Sequence, residues 1–144
     1  MSANLKLTPL VVDLLRQGYA VRFRAPGQSM APTIPNDTVI TVEPLAADAP
    51  IDVGDVVLAR INTRLIAHRV IGVEGQGTAA QFRLRGDAQA SVVDCVARRA
   101  ILGRLLYLQP HFGKHHRANF IRSLSKALPK LFQFTLGRQH DDTE

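Results

Sequence analysis

The chain is 144 residues long and 46% hydrophobic, which fits one domain with a buried core, and its single cysteine, Cys95, excludes an internal disulfide framework. A net charge of +6 raises nucleic acid as a partner, so the distribution of that charge matters. Residues 1–110 hold 12 basic and 9 acidic residues, a balance of +3, whereas residues 111–138 hold six basic residues and no acid before Asp141, Asp142 and Glu144 close the chain. The excess charge sits in a tail, and no nucleic-acid partner is expected.

In chain order, Lys6 precedes a short apolar stretch from Leu10 to Val12 that Asp13 and Arg16 interrupt. It is too short for a secretory core or a membrane span, so neither is expected, and the chain is assigned to the cytoplasm or a cytoplasmic membrane face. Thr8-Pro9, then Leu10, Val11, Leu14, Leu15 and Gly18, predict a short helix within residues 1–20. Thr8 would be its N-cap, Pro9 its first turn and Gly18 its stop.

Short runs rich in Val, Ile and Leu follow at Val21 to Arg24, Thr38 to Val42, Val56 to Ile61, Leu65 to Val73, Gln81 to Arg85 and Val96 to Leu108. Asn62-Thr63-Arg64 and Gly75-Gln76-Gly77 read as hairpin tips, and Pro44 to Pro50 as a looser connection. The prediction is a mostly β domain over residues 21–109. Alternation in Val21-Arg22-Phe23-Arg24 and Phe82-Arg83-Leu84-Arg85 suits a sheet with one wet face.

Beyond Pro110 the pattern changes. Phe120, Ile121, Leu124, Ala127, Leu128, Leu131 and Phe132 recur at helical spacing, with Arg117, Arg122, Lys126 and Lys130 on the other face. Residues 110–144 thus read as a basic amphipathic tail, a helix kinked at Pro129. Residues 114–138 could make peripheral contact with an anionic membrane, or the helix could pack on its own domain.

The segment with chemical content is Gly27-Gln28-Ser29-Met30-Ala31-Pro32-Thr33-Ile34. A serine in a Gly/Pro-rich loop is ordinarily a turn residue; a nucleophile also needs a base within hydrogen-bond reach and a third group to orient that base. This segment resembles the Ser-Met-x-Pro-Thr box around the nucleophile of signal peptidases. Further matches follow in that family's order. Val53-Gly54-Asp55-Val56-Val57 is similar to its Gly-Asp turn entering a strand, Ala67-His68-Arg69-Val70-Ile71-Gly72 to the strand bearing the general base, and Leu84-Arg85-Gly86-Asp87 to its late Gly-Asp box. The resemblance spans roughly residues 20–106 and implies a twisted β-sheet or partial-barrel domain. It includes the repressor autoproteases, which share the fold.

Common bacterial signal peptidases and repressor autoproteases place a lysine on this strand. The endoplasmic-reticulum and archaeal type places a histidine there, which His68 matches. The resemblance therefore implies Ser29 as nucleophile, His68 as base and an aspartate to orient it, either Asp87, preferred for its clear Gly-Asp anchor, or Asp94. Gly27, Gln28 and Met30 would shape the oxyanion and substrate loop. Gly27 stands where many bacterial members have a serine whose hydroxyl serves the oxyanion hole, a loss worth on the order of 100-fold in rate. His111, His115, His116 and His140 lie in the tail without partners at metal-ligand spacing, so neither metal nor cofactor is expected.

These readings predict a serine endopeptidase with a Ser/His dyad or triad that cleaves leader or signal-like peptides bound as an extended strand. A repressor-type autoprotease is the nearest rival. It is opposed by the absence of room before residue 20 for a DNA-binding module, and by the absence of an Ala-Gly or Cys-Gly dipeptide. A catalytically weak or inactive peptide-binding, membrane-associated accessory domain is the non-enzymatic alternative.

Overall fold

In the computed structural model, residues 3–106 and 131–133 are described. Helix α1 spans Ala3–Arg16, and the strands are β1 Ala20–Ala25, β2 Thr38–Pro44, β3 Val56–Ile61, β4 Arg64–Glu74, β5 Gln81–Arg85, β6 Asp94–Ala97, β7 Ile101–Leu106 and β8 Leu131–Gln133. They form one curled sheet of order β6-β5-β4-β3-β7-β2-β1-β8, in which every neighbouring pair is antiparallel except β1 with β8. The fold is therefore a mostly β half-barrel with an N-terminal helix.

Period-2 alternation divides the core in two. Leu58 on β3 joins Val11, Val12 and Leu15 of α1 in one cluster, while its neighbours Val57 and Ala59 join Val70, Phe82 and Leu84 in the other. Met30 and Ile34, on either side of the Ala31-Pro32-Thr33 turn, belong to the cluster beneath α1. That burial anchors the segment carrying Ser29.

The helix starts earlier than predicted. It begins at Ala3 and contains Pro9, so Thr8 is an interior residue and not an N-cap. Its end agrees with the prediction: Gly18 has φ +85°, its N–H donates to Leu15 O, and the Tyr19 N–H donates to Leu14 O. Those two bonds are the paired closure of a left-handed helix stop.

Strands β1 to β5 fall where the sequence places them, and Asn62 takes a left-handed conformation (φ 54°) in the two-residue turn between β3 and β4. The predicted run Val96 to Leu108 is instead broken by a 3-10 turn at Arg98–Ala100. A continuous strand there would have to be both the sheet edge beside β5 and an interior strand between β3 and β2. Arg98 supports the crossing from inside, its guanidinium donating to the carbonyls of Ala46 and Ile101.

The predicted C-terminal amphipathic helix lies mostly outside the described residues, as does the membrane contact assigned to residues 114–138. Leu131 and Phe132, counted on its apolar face, are in β8, paired parallel with Ala20–Arg22 of β1. The outer edge of β1 offers the unpaired backbone groups that β8 takes up. Among the described residues no helix is long and apolar enough to cross a membrane.

Candidate functional site

Ser29 lies on a loop between β1 and β2 that is tied down on both sides. The Gly27 N–H donates to Asn36 Oδ1 (2.7 Å), the Ala31 N–H to Gln28 O (3.0 Å) and the Ile34 N–H to Met30 O (2.8 Å). Gly27 adopts φ +122°, a conformation that side chains rarely tolerate. Met30 is buried beneath the loop, whereas Gly27 and Gln28 are exposed.

A second loop clamps Ser29 from behind. The Ala88 N–H donates to Ser29 O (2.9 Å), and Gly86 packs so closely that a Cβ there would overlap the same carbonyl oxygen. Neither Asn36 nor Ala88 stands out in the sequence, because each acts through a contact made only on folding. Pro35-Asn36-Asp37 is legible as a turn, but nothing local shows that Asn36 caps the Ser29 loop.

The Ser29 hydroxyl meets the His68 ring, with Nε2 3.2 Å from Oγ. His68 is buried at 6% exposure on β4, and Asp94 Oδ2 stands 3.5 Å from its Nδ1. That separation is long for a hydrogen bond, and among the described residues Nδ1 has no other partner, so Asp94 acts on the ring chiefly by charge. Desolvation lowers the His68 pKa below its ordinary value, while Asp94 acts in the opposite direction. The neutral imidazole is therefore favoured at neutral pH, and the tautomer it adopts sets which of Nε2 and the Ser29 hydroxyl donates in their contact.

Asp87, the preferred orienting acid, is engaged elsewhere. Its carboxylate takes two bonds from Arg69, Nε to Oδ1 at 2.8 Å and Nη2 to Oδ2 at 2.6 Å, while Arg69 Nη1 reaches Gly54 O at 2.8 Å. The Arg69 hydrogen bonds hold the Asp87 pKa below the usual carboxylate range, with a further contribution from the Thr33 hydroxyl. Asp87 thus joins β4 to the Ser29 loop through Arg69 and Thr33. Strand parity explains the division. Arg69 pairs with Arg85, two residues before Asp87, whereas Val70, Leu84 and Asp94 form a row on the opposite face, the His68 face. Of the two candidate aspartates, Asp94 is the one that stands beside the imidazole, and Asp87 is held by Arg69.

The lowered His68 pKa carries a stability prediction. An unfolded chain takes up its histidine proton near pH 6.5, while folded His68 resists until lower pH, so between those values the unfolded state binds more protons and stability falls as pH falls. Thermal midpoints measured from pH 8 to 5 should decline below about 6.5, and the decline should be smaller in His68→Gln. Identical profiles for the two proteins would refute the assignment.

Ser29 and His68 open into a trough of about 810 Å3, bordered by α1, β1 and the β3–β4 hairpin. Leu7, Leu14, Phe23 and Leu65 line its apolar side, while Arg22 and Arg64 are among its polar lining. Among the described residues no cluster of His, Cys, Asp or Glu could hold a metal ion.

The family model for Peptidase S24-like proteins matches residues 3–85, which include Ser29 and His68 but stop before Gly86, Asp87 and Asp94. No curated protein matches the chain. The family lies in the superfamily that joins repressor-type autoproteases and signal peptidases, and the match does not single out the histidine-type signal peptidases. Its peptidases work with a Ser/Lys dyad, which overturns the expectation of a Ser/His endopeptidase for leader or signal-like peptides. The strands described carry no lysine: Lys6 lies on α1, and Lys114, Lys126 and Lys130 fall outside the described residues. His68 is therefore placed here as the neighbour of Ser29, and family membership gives it no role as proton acceptor. With more than half of its length matched, including the Ser29 loop and the strand facing it, the chain belongs to the Peptidase S24-like family.

Proposed function

We propose that this chain is a serine-type peptidase whose substrate is a peptide segment entering the trough in extended form, with Ser29 as the residue acylated. The observation that carries the reading is the presentation of Ser29. Its loop is held by Asn36, Met30 and Ala88, and its hydroxyl is directed at a polar partner on the wall of the trough. Such pre-organisation has a direct use in acyl transfer, because the attacking oxygen must be fixed near the scissile carbonyl.

The reaction supported is addition of Ser29 Oγ to the peptide carbonyl carbon, with the hydroxyl proton passing finally to the leaving amine as the C–N bond breaks. Water then hydrolyses the ester. The Ser29 backbone N–H donates to no described backbone carbonyl, so it is available to the developing oxyanion. Gly27 adds no side-chain donor beside it.

Fluorophosphonate labelling tests the reading. Ser29 Oγ should displace fluoride from phosphorus to give one adduct, located by peptide mass spectrometry at Ser29. Absence of that adduct, under conditions where a control serine hydrolase is fully labelled, would defeat it.

A further inference from the structure

We infer that the trough selects a peptide carrying acidic side chains beside an apolar one, a specificity that rests on the peptidase reading. The charges around the trough are unequal. Its lining includes Arg22, Arg24 and Arg64, and Asp94 as the lone carboxylate among the described residues. Arg24 is partly neutralised by Asp37 (3.4 Å), and Asp94 faces His68. Arg22 and Arg64 make no ion pair among the described residues.

Backbone geometry favours a peptide as the occupant. Strand β8 covers the outer edge of β1 only at Ala20–Arg22, so among the described residues Phe23–Ala25 has no strand beyond it. That uncovered stretch leads directly into Gly27 and Ser29. A peptide added there would satisfy the free edge groups of β1 and present alternate side chains to opposite sides. One set would meet the apolar wall of Leu14 and Leu65, the other the guanidinium groups. Two unpaired guanidinium groups suit carboxylates, which they can bind through paired N–H donors.

The test uses the full chain carrying Ser29→Ala, so that recognition is measured without turnover. Two fluorescent ten-residue peptides, identical except for Glu or Gln at alternate positions, are titrated by anisotropy. The Glu peptide should bind at least about 10-fold more tightly at 50 mM salt, with the difference shrinking at 0.5 M as charges are screened. Arg22→Gln and Arg64→Gln should each reduce the preference several-fold, whereas Arg83→Gln, on β5 outside the trough lining, should leave it intact.

Equal affinities, no binding of either peptide, or a preference that survives the Arg22→Gln/Arg64→Gln double substitution would overturn the inference. Tighter binding of a single-stranded oligonucleotide than of the Glu peptide would also overturn it, by assigning the cationic rim to nucleic acid. Failure of Ser29 to label in the wild-type chain is a separate result, and it bears on the peptidase reading alone.

Discussion

Ser29→Ala should abolish the fluorophosphonate adduct and lower peptide hydrolysis by at least about 1,000-fold, the scale seen when a nucleophile is removed from a serine peptidase. The fold should survive. The lost hydroxyl has one described partner, His68 Nε2 at 3.2 Å, and a single neutral hydrogen bond is worth about 1 kcal/mol. A thermal midpoint within a few degrees of wild type, together with lost labelling, is therefore the expected pair of results. Retained hydrolysis in this variant would place the chemistry on another residue.

Gly86→Ala should have the second largest effect, although Gly86 does not line the trough. The added methyl would overlap the Ser29 carbonyl oxygen, and that atom belongs to backbone, which cannot swing aside as a flexible side chain would. Relief of the overlap requires the Ser29 loop and the Gly86 loop to separate, which breaks the Ala88 N–H to Ser29 O bond. Overpacking of this kind costs about 1–3 kcal/mol, and a displacement near 1 Å at a reacting atom can cost about 100-fold in rate. Labelling of Ser29 should fall by that factor while the chain remains folded. Gly72→Ala is the control, since the atoms nearest its added methyl belong to the movable guanidinium end of Arg83. Equal labelling of wild type and Gly86→Ala would show that the clamp does not position the serine.

Local turn chemistry was legible: Gly18 as a helix stop and Asn62 in a hairpin turn both act within a few residues of themselves. The alternation of β5, exposed at Gln81, Arg83 and Arg85 and buried at Phe82 and Leu84, was legible for the same reason. Helix α1 was misjudged because Thr8-Pro9 is a strong start signal locally. The start is overridden in a helix whose packed residues Val11, Val12 and Leu15 come after the proline. The break at Arg98–Ala100 was hidden because an apolar run shows no period change where a chain passes from a sheet edge to its interior.

By itself, the sequence determined a mostly β domain, because strand alternation and turn residues are properties of neighbours along the chain, and its resemblance to signal-peptidase motifs marked the Ser29 box and the strand bearing His68. The tertiary structure alone decided which aspartate stands beside His68. Residues 69, 85 and 87 share one parity, and the pairing of β4, β5 and β6 carries Asp94 onto the other face beside the imidazole. Register between strands distant in sequence is set by the packing of the whole sheet, and no spacing of Gly-Asp pairs along the chain contains it.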